Sequence, residues 1–79
     1  MNDQDAIAEF VRLAEAEYTA MYDARPSRAK DHYDDARHYF HQAIEAARRA
    51  GRATEVTHLT CRVEHIAMVY NTQFRGIGR

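Results

Sequence analysis

The stretch DARHYFHQAIEAARRAGR, residues 35–52, decides the fold. Within it Ala36, Phe40, Ala43, Ile44 and Ala47 recur at steps of three and four, the spacing that gathers apolar side chains on one face of an α-helix. The same phase runs backwards through Tyr33 to Ala29, and the Ala, Glu, Arg and Gln residues between are good helix formers. Arg48 and Arg49 suit the negative end of such a helix, and Gly51 can take the left-handed conformation that closes it. Pro26 pushes Arg25 out of the helical region, and Ser27 is the expected N-cap. The spacing therefore predicts a helix over 28–50.

Two further helices follow from the same reading. Before the proline, Ile7, Phe10, Val11, Ala14, Tyr18 and Met21 form a stripe over 5–23, with Asn2 or Asp3 as the cap. After Gly51, Val56, Leu59, Val63, Ile66 and Tyr70 do so over 54–74. Gly76 is the expected stop, and 75–79 read as a flexible tail. No segment alternates with a period of two, so the fold class is all-α: a three-helix bundle, or a helical hairpin plus one helix, with antiparallel neighbours, in one domain over 1–79. Its core is thin, because many of the inward positions are alanine, and a second copy packing as a homodimer would relieve the shortage.

Composition sets the outer limits. Seventy-nine residues, 46% of them hydrophobic, suffice for one core and no more. Eleven Lys and Arg against twelve Asp and Glu give a net charge of −1, which argues against a dominantly basic nucleic-acid binder. A single cysteine excludes an internal disulfide and any all-thiolate zinc site. No apolar run reaches membrane-spanning length, and MNDQDAIAEF carries no signal-peptide pattern, so a cytoplasmic protein is expected.

Residues 35–74 resemble a tetratricopeptide-repeat helical hairpin. Ala36, Phe40 and Ala43 match the small-aromatic-small order of the repeat's second helix. Val63, Ile66, Ala67 and Tyr70 stand where the family has Trp, Leu, Gly and Tyr in the first helix of a following repeat. The resemblance implies a role in peptide or protein binding, without catalysis.

The candidate sites lie on the outer faces. His58, Cys61 and His65, at i, i+3 and i+7, share one side of the third helix, opposite its apolar stripe. They are assigned to a dimer interface, and the alternative is a small metal-binding protein that uses this stripe, since zinc accepts imidazole and thiolate. Asp31, Asp34, Asp35, His38 and Glu45 share the outer face of the second helix and form the expected partner-binding surface. Asp35-x-x-His38 and Glu55-x-x-His58 have di-iron ligand spacing but lie off the apolar seams. Cys61 lacks an oriented base and an oxyanion site, so no catalytic residue, metal or cofactor is assigned and no enzyme is expected.

Charge is unevenly spread. Residues 1–24 carry −5, residues 25–47 balance, and residues 48–79 carry +4. Attraction between the first and third helices explains this most simply. Nucleic-acid binding through Arg48, Arg49, Arg52 and Arg62 ranks last, and neither direct nucleic-acid nor membrane contact is expected. The functional expectation is a non-enzymatic binding module that occupies a surface of a larger protein or nucleoprotein. One form of this is a phage-type, anti-CRISPR-like inhibitor that uses the acidic helical face.

Overall fold

The computed structural model describes residues 2–74 and is all-α. Helix α1 spans Asp3–Asp23, α2 Pro26–Arg49 and α3 Ala53–Val69, and a π turn over Tyr70–Phe74 continues α3. The proposed tail at 75–79 and the stop at Gly76 lie outside the described residues.

Helix α1 begins where its cap dictates. The Asn2 side-chain oxygen accepts the Asp5 backbone N–H at 2.8 Å, and Asp3 and Asp5 place negative charge beside the unpaired amides of the first turn. Only Ala24 and Arg25, both extended, separate α1 from α2, so the two helices form a tight antiparallel hairpin.

The start of α2 corrects one expectation. The N-cap is Arg25, with no side-chain cap, and Ser27 lies exposed inside the first turn. Proline is the physical reason. At the first helical position Pro26 forgoes an N–H that would have no partner anyway, and its fixed φ already suits the helix. The Arg25 carbonyl then accepts the N–H groups of Arg28 and Ala29 at 2.8 and 3.1 Å.

The other end of α2 closes as the sequence indicates. Gly51 sits at φ +70, its N–H donates to the Arg48 carbonyl at 3.0 Å, and the Arg52 N–H donates to the Ala47 carbonyl at 2.9 Å. This pair of bonds is a Schellman turn, which satisfies two otherwise orphaned carbonyls and reverses the chain into α3.

Helix α3 is shorter as an α-helix than expected, because its last turn widens into the π turn. Within it the Thr72 hydroxyl donates to the Met68 carbonyl at 2.8 Å and the Val69 carbonyl at 3.3 Å. A side-chain hydroxyl bonded back to the preceding turn competes with the backbone ladder there.

The core follows the expected stripes and adds Ala46 and Val69 to them. Ala14, Ala36, Ala43, Ala46 and Ala47 are fully buried, and Phe40, Met21 and Ile66 are the largest side chains buried among them. Phe10, Val11, Tyr18, Val56, Val63 and Tyr70 pack against it from partly exposed positions. No side-chain nitrogen or oxygen is left buried without a partner among the described residues. Helix α2 is central: α1 packs along it most extensively and α3 covers its other flank, giving a flat body of 43 × 21 × 13 Å.

Replacing Gly51 by alanine tests the turn that sets α3 on α2. An added Cβ would meet nothing within 4 Å, so the penalty comes from the left-handed backbone alone. Gly51→Ala is expected to lower unfolding free energy by about 1–2 kcal/mol. Gly51→Asn should cost distinctly less, since asparagine tolerates that conformation. Urea denaturation of the three proteins measures both.

Candidate functional site

The exposed side of α2 follows from its burial. Ala29, Tyr33, Ala36, Phe40, Ala43 and Ala47 turn inward, so the polar positions between them point out. Asp31, Asp34, Asp35, His38 and Glu45 are all exposed on that side, as their spacing requires. The side is of mixed charge. Asp31 lies 3.8 Å from Arg28, Asp34 2.7 Å from Lys30, and Glu45 2.6 Å from Arg48, each pair one helical turn apart. The hydrogen bond to Asp34 holds the Lys30 ammonium above its ordinary pKa. Asp35 makes no ion pair among the described residues.

His58, Cys61 and His65 are exposed on the outer side of α3. They share that side without converging: among the described residues no group of three or more His, Cys, Asp or Glu side chains could hold a metal ion. The same result covers the Asp35–His38 and Glu55–His58 pairs. Zinc or di-iron ligation within one chain therefore has no geometric basis in these residues.

The four arginines considered for nucleic-acid contact each face a carboxylate. Arg48 pairs with Glu45, Arg49 lies 3.6 Å from Asp3, Arg52 3.9 Å from Glu55, and Arg62 binds Glu15. The last pair joins α1 to α3 and realises the attraction that the uneven charge implied. Arg62 Nε and Nη2 donate to the two Glu15 oxygens at 3.1 and 2.8 Å, a bidentate geometry. Its guanidinium also lies 4.9 Å over the Tyr18 ring.

Around this clasp stands an aromatic cluster that periodicity alone does not reveal. The Tyr18 and Tyr22 hydroxyls are 3.2 Å apart, and the Tyr22 ring meets Phe74 edge-on at 5.2 Å. Tyr70 stacks on Tyr33 at 4.1 Å, with the rings parallel to within 1°. His32 Nδ1 lies 2.7 Å from Glu17, a second link between α1 and α2. Burial, with the Tyr22 contact second, pushes the Tyr18 phenol up to about 12. The five tyrosines were visible in the sequence; which of them would meet was not.

Depressions of about 460, 420 and 530 Å³ gather round the α2–α3 turn, all open to solvent. The first lies between the N-terminal halves of α1 and α3, over Ile7, Ala8 and Val11, with Arg52 and Glu55 on the α3 side. None encloses a nucleophile beside a base. Among the described residues no helix is long and apolar enough to cross a membrane. The arrangement is an all-α layer whose polar chemistry is displayed on its outer faces. No protein-family model, curated protein or solved structure matches the chain.

Two measurements test the clasp. Glu15 and Arg62 are each more than a third exposed at the side chain, so solvent screens their attraction. A double-mutant cycle of Glu15→Gln and Arg62→Met is expected to give a coupling of about 0.5–1 kcal/mol, read from denaturation midpoints. The Tyr18 phenol ionises less readily in the fold than its ordinary pKa of 10.0 would allow. Its contribution to stability is therefore complete below pH 10 and is lost as pH rises towards 12. Tyrosinate absorbance against pH should show a highest-titrating group that Tyr18→Phe removes.

Proposed function

We propose that this chain is a non-enzymatic binding module that acts by occupying a surface of a larger protein partner through the exposed side of α2. The observation that supports this reading is the continuous polar side carrying Asp31, Asp34, Asp35, His38 and Glu45, which no other part of the described chain covers. A 24-residue helix presents it over roughly 36 Å, enough to lie across a partner's surface. The alternation of acids with Arg28, Lys30, Arg37 and Arg48 suits a partner of complementary mixed charge and specifies register more than bulk attraction.

In its particular form the partner is a nucleoprotein, and the α2 acids enter a basic groove that otherwise holds nucleic acid, as phage-type, anti-CRISPR-like inhibitors do. The partner's cations then replace Arg28, Lys30 and Arg48 beside Asp31, Asp34 and Glu45. Exposed pairs of this kind are screened by solvent and contribute little, so exchanging them costs little. Asp35 is already available.

Affinity capture from a host lysate at moderate salt, followed by reconstitution with the purified partner, tests the reading. The triple variant Asp31→Lys, Asp34→Lys and Asp35→Lys should keep the helical circular dichroism of the parent and lose the partner at least tenfold. Equal binding by parent and variant would remove the α2 face from the proposal.

A further inference from the structure

The outer side of α3 differs in chemistry from that of α2. Its exposed residues include Thr54, Thr57, His58, Cys61, His65 and Met68, and Glu64 is the one formal charge among the exposed residues of the helix. Arg62 and Glu55, the other charged residues of α3, turn towards the chain's own body and pair with Glu15 and Arg52. The exposed side of α2, in contrast, carries charge at nearly every turn. Solubility alone gives no reason for one helix to shed its surface charge while its neighbour keeps it.

Depletion of charge with retention of methionine is the composition found at the centres of protein interfaces. Met68 is 57% exposed and is one of two large hydrophobic residues exposed among the described residues, Tyr22 being the other. Thr54, Thr57 and Cys61 are short side chains, and short side chains let two helices approach closely. Because the side carries few charges, it meets a copy of itself without the desolvation of ions that burying two α2 faces would require. Cys61 is the middle residue of α3, so a pairing that overlaps the full helix brings two Cys61 thiols together whether the helices run parallel or antiparallel.

We propose that the outer side of α3 is a self-association face that seats against the same face of a second copy of this chain, with Cys61 at its centre. The helix is about 25 Å long, so the contact falls below the roughly 800 Å² per partner of a standard interface. Association is accordingly weak, in the micromolar range, and reversible. The exposed residues of α2 take no part in this contact, so a dimer formed in this way carries two copies of that side. The self-association stands independently of what α2 binds.

Light scattering of the reduced protein with a chelator present, from low to high micromolar concentration, is the primary test. The mass is expected to rise from 9.2 kDa towards twice that value. Thr57→Glu with His65→Glu places four extra carboxylates in the contact and should hold the protein at 9.2 kDa. His41→Glu with Gln42→Glu, on the exposed side of α2, should leave the rise unchanged. Circular dichroism checks that both variants keep their helices. Diamide, which takes two electrons and two protons from a pair of thiols, should give a crosslinked dimer that Cys61→Ser abolishes. Cys61→Ser should still associate reversibly. A mass fixed at 9.2 kDa through high micromolar concentration overturns the proposal, as does equal association of the Thr57→Glu, His65→Glu variant. A dimer that appears only with added zinc and vanishes with chelator also overturns it, in favour of a metal bridge through His58, Cys61 and His65.

Discussion

The row of alanines along α2 is the constraint on which the rest of the structure depends. Ala29, Ala36, Ala43 and Ala47 present almost no side chain, so α1 and α3 can come close to the α2 backbone on both of its flanks. Close approach multiplies small dispersion contacts, but each alanine removes little apolar area from water. The few large residues seated between the alanines therefore carry a disproportionate share of the stability. Phe40, Met21 and Ile66, one from each helix, are fully buried. Cavity-forming changes in cores typically cost 2–5 kcal/mol, a large fraction of what so small a domain holds.

A flat layer follows from that economy. With α2 in the middle, α1 and α3 meet each other mainly through long side chains, and the chain closes the gap with polar and aromatic groups in place of aliphatic ones. The bidentate Glu15–Arg62 pair, its stacking on Tyr18 and the Tyr22–Phe74 contact do the work that leucines perform in a fuller bundle. Arginine and tyrosine suit this position because their stems and rings pack while their tips stay partly wet. The tyrosine and arginine content of the chain thus has an internal use, and its presence is no direct sign of a binding surface.

How far the sequence reaches can be judged residue by residue. The three helices, the inward stripes and the Gly51 turn were legible, because periodicity and a left-handed glycine are local signals that each residue carries by itself. Ser27 misled, since its capping preference was outweighed by the proline beside it, a contest between two local rules that the backbone settles. The π turn at Tyr70–Phe74 was not legible: Tyr70 and Phe74 there meet Tyr33 of α2 and Tyr22 of α1, contacts between helices that no local signal carries. For the outer faces, spacing correctly put Asp31, Asp34, Asp35, His38 and Glu45 on one side, and His58, Cys61 and His65 on another. It could not show that most of the α2 acids already have a basic neighbour, because that depends on rotamers within one turn.

The contrast between the two outer faces bears most directly on function. A helix in water gains solubility from charge at any exposed position, and the surface of α2 obeys that tendency throughout. On α3 Arg62 is turned inward to clasp α1 and Glu55 pairs within the first turn, which leaves Glu64 as the one charge exposed among threonine, histidine, cysteine and methionine. In a chain with so thin a core, the Arg62 charge is needed where it ties α3 to α1. The uncharged remainder forms a surface compatible with burial, whereas the α2 side, dense in ions, resists burial against anything except a partner of matching charge. One small layer thereby separates an outer face nearly free of charge from an outer face dense in ions.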